Sequence, residues 1–583
     1  MDAPTSQDRR GRPVAPVEAA WRGEPRADSG VPRGHGLRDR AAAARLVATP
    51  ACRGRETTHL ARTPLFARFH ALARRFRAAQ AAGLPPEAWL EPRADARRAE
   101  PSRRAIVQGA AAAAALAALP NSVRANANQP RVAIVGAGLA GLVAARTLRS
   151  RGVVATIHES SSRIGGRVHT DATTFAAQGQ RVERGGELID TGHRALRKLV
   201  RQLGLETDDL LAAEPAGTQA LGWFAGQATT FAQFEQDFAG LYQALHQDVV
   251  HAPFPTTYDS YTTTARQLDL STIDQWIDLR VPGGLQSRLG RLLSAAYDIE
   301  YGAPASQQSA LNLIYLLGYG STPNNFSLFG ESDERFRVRG GNEQIVQRLA
   351  AGLPGQTRLQ HRLVAVATLP NGRIRLVFDT PGGVVDETWD RVVMTVPFAV
   401  LRNDVDLSQA ALRPLKRTAI AQQGMGVNAK LHVQFSSRHW HQLGCNGETF
   451  GDGFQNTWDE TRAQAGACGI LDNYLGSAGP SLAGQSPSSA TGAFLAQIEP
   501  LLPGLAQRWT GVSSIDYWPG SPHQRGSYSY YKPGQYTTFA GVEREAEGRL
   551  HFAGEHTSID FQGYMEGAVE SGERAAREVL AAL

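Results

Sequence analysis

The apolar positions of this chain fall in short blocks whose period changes at glycines. In RVAIVGAGLAGLVAARTL, beginning at Arg131, the run Val132 to Val135 is short and β-branched, as expected of a parallel strand buried on both faces. The spacing then turns helical from Leu139 to Arg149, and the apolar stretch of RGVVATIHE predicts a second strand ending in Glu159. Farther on, RLQHRLVAVATLPNGRIRLVF alternates on either side of Asn371-Gly372, a hairpin signal. VNAKLHVQF reads as a strand carrying Lys430, and QFEQDFAGLYQALHQDVV has helical spacing. Strands interleaved with helices predict an α/β chain.

The glycines between the first strand and helix, Gly136, Gly138 and Gly141, match G-x-G-x-x-G. The first permits the tight turn, the second lets the backbone approach a pyrophosphate, and the third lets helix pack on strand. Ala140 sits in the same turn, where the helix N-terminus offers free N–H groups to phosphate. Glu159, roughly 20 residues beyond, is placed to meet a ribose hydroxyl. The pattern predicts an ADP-containing dinucleotide and leaves NAD and FAD both open.

At 583 residues the chain is too long for one core, so two or more domains are expected. Its net charge of +6 hides an asymmetry: residues 1–129 hold 22 Arg, no Lys and 11 acidic residues, net +11, which leaves −5 for the rest. The basicity belongs to an Arg/Ala-rich leader (1–100), so no nucleic-acid partner is expected from it. Within the leader, FARFHALARRFRAAQAAG fits a basic amphipathic helix or a disordered segment. Residues 101–127 pair Arg103 and Arg104 with an Ala-rich apolar run and Ala125-Asn126-Ala127. This is the layout of a twin-arginine signal peptide, which predicts a periplasmic or secreted protein beginning near Asn128; an Ala-rich linker in a cytoplasmic protein is the alternative. No Met separates Met1 from Met394, so a start farther in, such as a valine codon at Val47, also fits. Beyond Cys52 of the leader the cysteines are Cys445 and Cys468, which could pair or remain free thiols, and no metal-site spacing is present.

Directly after Glu159, SSSRIGGRVHT adds a second glycine loop with Arg163, Gly165, Gly166 and Arg167. The two loops together resemble the flavin amine oxidase family, which includes monoamine, polyamine and L-amino-acid oxidases. The likeness continues in order through VERGGELIDTGH, RFRVRGGNEQIVQRLA, RVVMTVPFAVL, VNAKLHVQF, YWPGSPHQRGSYSYYKPG and LHFAGEHTSIDFQGYMEGAVESGERAAREVL. The resemblance implies FAD and a two-domain fold, each domain assembled from separated stretches. A Rossmann-like FAD-binding domain would take 128–205, 335–405 and 515–583; a mixed-sheet and helical substrate domain would take 206–334 and 406–514.

It further implies that the second loop contacts pyrophosphate and flavin, and that Gly185, Gly186 and Glu187 pass near the flavin ring. The strand near Leu363-Val364 would run past the adenine, and Gly554, Glu555 and Gly563 would close the site. Lys430 matches the family's flavin-facing lysine, and Tyr528 and Tyr564 match its facing pair of aromatic rings. The covalent attachment position, a cysteine in some members, is Ser527, so the FAD is expected to be non-covalent. His193 and Glu187 are further candidates for the cavity wall. The implied reaction is oxidation of a small amine to an imine, hydrolysed to a carbonyl compound, with oxygen or an electron carrier as acceptor. An L-amino-acid oxidase is the alternative. Many of those carry an arginine where this chain has Leu188, though Arg335 or Arg337 could substitute. A flavin-binding scaffold without turnover is the distant alternative. The chain reaches Leu583 soon after the closing helix with no hydrophobic tail, so no permanent membrane anchor is expected, and a homodimer is left open.

Overall fold

A computed structural model describes residues 130–322 and 325–583, all within one compact unit. The leader, the signal segment and Cys52 lie outside the described residues. The first strand, β1 (Val132–Val135), is buried at every position, and helix α1 (Leu139–Arg149) follows across the glycine turn. With β2 (Ala155–His158) these form the centre of a five-stranded parallel sheet. Its order is Leu550–Phe552, Arg391–Met394, β1, β2, Thr357–Arg358. Helix α1 and the closing helix Met565–Ala581 pack together, and their apolar sides share a core with Val132, Ile134 and Ile157. A strand covered on both faces has no polar side, which is why β1 reads as a continuous apolar run.

The hairpin forms as expected: Arg362–Thr368 and Ile374–Thr380 pair antiparallel, with Gly372 at φ +78° in the turn, and Gly383–Trp389 adds a third strand. The helical stretch at 231–251 forms two helices, Phe231–Ala239 and Tyr242–His251, separated at Gly240-Leu241.

A seven-stranded mixed sheet builds the other side. Its order is Trp509–Tyr517, Ala429–Phe435, Gly469–Leu475, Gln455–Asp459, Cys445–Gly451, Gln219–Phe224, Gln227–Thr230. All neighbours are antiparallel except Cys445–Gly451 beside Gln219–Phe224. Strand Trp509–Tyr517 belongs wholly to this sheet, so the sheet continues past the expected change of domain at 514/515.

Strand Ala429–Phe435 shows how the sheet positions chemistry. Successive side chains alternate between faces. Ala429, Leu431, Val433 and Phe435 join a core with Phe494, Leu495 and Ile498 of helix Pro487–Ile498. Lys430, His432 and Gln434 must then face the opposite way, and all three are buried there. Lys430 pairs across the sheet with Tyr474 and Asp516, and His432 with Asp472. That face tolerates buried charge because its groups are paired, Lys430 with Glu187 and Asp472.

Candidate active site

A cavity of about 810 Å³ runs from the glycine turn to the polar face of the mixed sheet, within the size range of cofactor and ligand sites. At one end it is lined by Gly136, Gly138, Leu139, Ala140 and Glu159. The three motif glycines have different reasons to be glycine. Gly136 stands at φ +107°, and a Cβ there would fall 2.3 Å from Thr395 Oγ1. A Cβ on Gly141 would fall 2.0 Å from the Gly136 carbonyl, so this glycine serves helix packing and lies off the lining. A Cβ on Gly138 would meet nothing within 4 Å, because its space belongs to the cavity. Gly138 is the N-cap of α1 without a side-chain cap, and the first helical bond runs from Leu142 N to Gly138 O. The N–H groups of Leu139, Ala140 and Gly141 are thus left without helical acceptors, an anion-binding arrangement. Glu159 accepts from Ala137 N at 2.7 Å and Ser161 N at 2.9 Å, which fixes its carboxylate beside the turn.

The second loop lies against the first through a bridge between Gly138 and Gly165. Gly165, Gly166 and Arg167 line the cavity. Arg163 folds back onto Ile164 O and Gly166 O and holds the loop from outside the lining. Val364 is also outside it: its carbonyl accepts from Asp406 N, and its neighbours Arg362 and Leu363 line the wall instead. Gly185 and Gly186 continue the lining where a Cβ would meet Arg167 O at 2.0 Å and Met565 Sδ at 3.1 Å.

Glu555 knots three segments around the cavity. It pairs with Arg167 at 2.8 Å and accepts from Ser529 Oγ at 2.7 Å and Gly563 N at 2.9 Å. Burial alone would push its carboxyl up, but Arg167 and His556 hold it below the usual range. Gly554 and Gly563, at φ +121° and +89°, line the same wall.

Lys430 lines the cavity within a buried charge network. Its Nζ donates to Glu187 Oε2 at 2.8 Å and Glu183 O at 3.0 Å, and lies 2.9 Å from Asp472 Oδ2. It also sits 4.8 Å from the Trp458 ring centroid. Burial would lower its pKa, but Asp472 and Glu187 raise it well above the ordinary lysine value, so it is a fixed cation. Arg337 reaches Glu460 at 2.5 Å and Glu187 at 3.3 Å. His432, Glu460 and Asp472 bring ligand-type atoms within 4.8 Å of one another, but Lys430 and Arg337 already supply cations to these carboxylates.

Tyr528 and Tyr564 both line the cavity. The Tyr528 hydroxyl lies 2.8 Å from that of Tyr474, and Tyr564 donates to Glu300 Oε1 at 3.0 Å. His193 stands behind Tyr564, edge-on at 5.3 Å between ring centroids, and lies off the lining; Glu187 is on it. Arg335 and Arg337 are off the lining too, Arg335 being tied to Asp209 at 2.7 Å.

Sequence reading missed Glu300, Glu334, Glu448, Trp458 and Tyr474, all of which line the cavity. Glu300 did carry a signal: it is the penultimate residue of helix Arg288–Tyr301, where the helix dipole disfavours an anion. Burial raises its pKa to about 7.

The doubly covered parallel sheet, the open helix N-terminus and the long cavity define a dinucleotide-dependent enzyme whose second end reaches a buried polar site. The profile of the flavin-containing amine oxidoreductases matches residues 139–580, and the chain belongs to that family. It is 25% identical over 476 residues to a flavin-containing amine oxidase of Danio rerio, covering 78% of this chain and 87% of that one. It is 24% identical over 487 residues to an L-amino acid dehydrogenase of Synechocystis, covering 77% and 94%. The structure of a putrescine oxidase bound to putrescine shares the fold with a TM-score of 0.64 at 23% identity, covering 78% and 99%.

FAD is the cofactor, and the residues fit it: the uncapped helix start would hold the pyrophosphate and Glu159 a ribose hydroxyl, with glycines where a side chain would fill the channel. Cys445 and Cys468 are both buried free thiols and neither lines the cavity; Ser527, which does, donates to Asn428 Oδ1. Acid precipitation of the holoprotein is therefore expected to leave FAD in a yellow supernatant. A yellow pellet that survives washing would show a covalent link.

Proposed function

We propose that this enzyme oxidises a small primary or secondary amine rather than an L-amino acid. One observation carries the choice. Five guanidinium groups line the cavity, and each is already paired: Arg167 with Glu555, Arg184 with Asp171, Arg362 with Asp379, Arg462 with Glu214 and Arg525 with Asp404. The side-chain carboxylates of Glu334 and Glu448, in the same lining, have no hydrogen-bond or ion-pair partner among the described residues. A substrate carboxylate would find no free cation there, only acids that burial holds partly or wholly protonated and that repel it when ionised. Leu188, also on the wall, adds no charge.

FAD, when bound, would supply a two-electron acceptor for the hydride on the carbon beside nitrogen; the amine would then be an iminium ion, and its hydrolysis would give a carbonyl compound and ammonia or a smaller amine, with release of a proton. The chain's own residues position the amine. Tyr528 is fixed through Tyr474 and Ile299 O, and Tyr564 through Glu300 with the His193 ring behind it. Burial raises both hydroxyls well above the ordinary tyrosine value, so the rings stay neutral. Oxygen as the acceptor belongs to this proposal, with Lys430 as the fixed positive charge beside the cavity.

The reacting nitrogen must be uncharged. kcat/KM for tyramine is thus expected to climb with pH toward the pKa of a free alkylamine, about 10, with aldehyde and ammonia as products. A profile falling over that range would contradict the reading.

Export through the twin-arginine route is a second part of the proposal, supported by the sequence of residues 101–127. Changing Arg103 and Arg104 together to Lys is expected to abolish periplasmic activity, and undiminished periplasmic activity would end it.

A further inference from the structure

We infer that His432 carries protons between solvent and the Lys430 end of the cavity, receiving them by way of Asp516 and passing them to Asp472. The inference rests on the reading with oxygen as acceptor and adds a residue to it. Returning two electrons to dioxygen as hydrogen peroxide consumes two protons. One travels with the hydride taken from the substrate carbon, and the other must come from solvent.

The polar face of the mixed sheet supplies a route. His432 stands two residues beyond Lys430 on strand Ala429–Phe435, and so on the same face. Its Nε2 lies 3.6 Å from Asp472 Oδ2 and 3.4 Å from Glu460 Oε1. Its Nδ1 lies 3.8 Å from Asp516 Oδ2 and 3.4 Å from Ser514 Oγ. The Asp472 oxygen that faces His432 also faces Lys430, at 2.9 Å, and Lys430 reaches Glu187 on the cavity wall at 2.8 Å. Glu460 is already taken by Arg337 and by Glu183 N at 2.9 Å, which leaves Asp472 as the outlet. At the other end the Asp516 side chain is 11% exposed, against 0% for His432 and Asp472, and it lies 3.7 Å from the half-exposed Arg184. The line therefore runs from solvent to the cavity through one imidazole ring.

A second observation sets this ring apart from a packed one. His432 Nε2, both carboxylate oxygens of Asp472 and Asp516 Oδ2 are buried without a hydrogen bond among the described residues. Leaving such groups unmet is costly, and each instance calls for a reason. The gaps on either side of the neutral ring are too wide for hydrogen bonds. An imidazolium has a donor on each nitrogen and would draw both carboxylates in. Burial lowers the pKa of His432 against the pull of Asp472 and Asp516; it raises that of Asp516, and that of Asp472 to about 6. Ring and acids are thereby brought closer in proton affinity, as transfer between them requires.

In the inward step an N–H bond forms at Nδ1, with a proton from solvent by way of Asp516, and the N–H bond at Nε2 breaks toward Asp472. Lys430 takes that proton from Asp472 as it gives one of its own to Glu187, so it remains a cation and one proton has moved inward. The ring is left as its other tautomer, which rotation of the side chain resets.

The test mixes holoenzyme, reduced with stoichiometric dithionite, with oxygen in weak buffer containing a pH indicator, and follows proton uptake and flavin absorbance together. His432→Gln and Asp516→Asn should each slow both signals by about tenfold or more and raise their solvent isotope effect, with anaerobic reduction by tyramine little changed. Concentrated imidazole or formate buffer should restore the Asp516→Asn rate, because a small acid then replaces the surface carboxylate; a variant damaged only in packing gains nothing from buffer. Asp516→Asn carries the test alone if the His432 variant does not retain FAD. Unchanged reoxidation in the variants that bind FAD, equal slowing of reduction and reoxidation, or a slowed Asp516→Asn that neither buffer restores overturns the relay. A parent enzyme that oxygen does not reoxidise overturns the acceptor reading instead. Ferricenium then replaces oxygen, one proton leaves for every two electrons, and the relay stands or falls on the same slowing and the same rescue.

Discussion

Tyr564→Leu is expected to slow anaerobic flavin reduction by tenfold or more with FAD still bound. Leucine keeps apolar bulk at the N-cap of the closing helix but removes a ring fixed at two points, by Glu300 at its hydroxyl and by a T-shaped contact with the His193 ring. What is lost is orientation, and a misplacement of ~1 Å at a reacting centre can cost on the order of a hundredfold. The substitution also strips the Glu300 side chain of its one hydrogen bond among the described residues, so Tyr564→Phe is the needed companion. Phenylalanine keeps the wall and loses only the hydroxyl contact, and it should reduce much faster than the leucine variant. A tyrosine that served packing alone would give the opposite pattern: lower thermal stability or poorer FAD retention, with a normal reduction rate in the holoenzyme that survives.

Lys430→Met is expected to damage stability as well as turnover. The lysine ammonium is the cation between Glu187 and Asp472, both buried, and it also satisfies the Glu183 carbonyl. Removing one partner of a buried pair leaves the other charge stranded, at a cost of about 3–5 kcal/mol. A clear drop in Tm should follow, and adding Asp472→Asn should restore part of it, because the stranded charge is then removed. In the folded fraction, reoxidation should slow more than reduction if the ammonium stabilises negative charge as electrons leave. A Tm close to that of the parent would contradict the network as described; equal slowing of both half-reactions would confine the lysine to a structural role.

The parts of this protein legible in its sequence are those decided locally. The glycine turn, α1 and β2 follow from spacing within about thirty residues of chain, and the Asn371-Gly372 hairpin from alternation and a turn dipeptide. The orientation of Lys430 is also local once the strand is assigned, since Leu431 and Val433 claim the apolar face. Pairings between distant segments were not legible. Arg335 and Arg337 are alike in sequence, but Asp209 holds one at the surface and Glu460 buries the other. Arg163 and Val364 sit next to lining residues, and only the folded backbone shows that Gly166 O takes the first and that Leu363 replaces the second. The carboxylates Glu334 and Glu448 lie more than a hundred residues apart in sequence, so nothing local could have joined them.

The central claim is that this cavity oxidises amines and rejects their carboxylated counterparts. The most direct measurement mixes purified holoenzyme anaerobically with two matched pairs, tyramine with tyrosine and cadaverine with lysine, and follows loss of the oxidised flavin absorbance. Bleaching by the amines and far slower or no bleaching by the amino acids is the expected result. Bleaching by tyrosine or lysine in preference to the paired amine would contradict it.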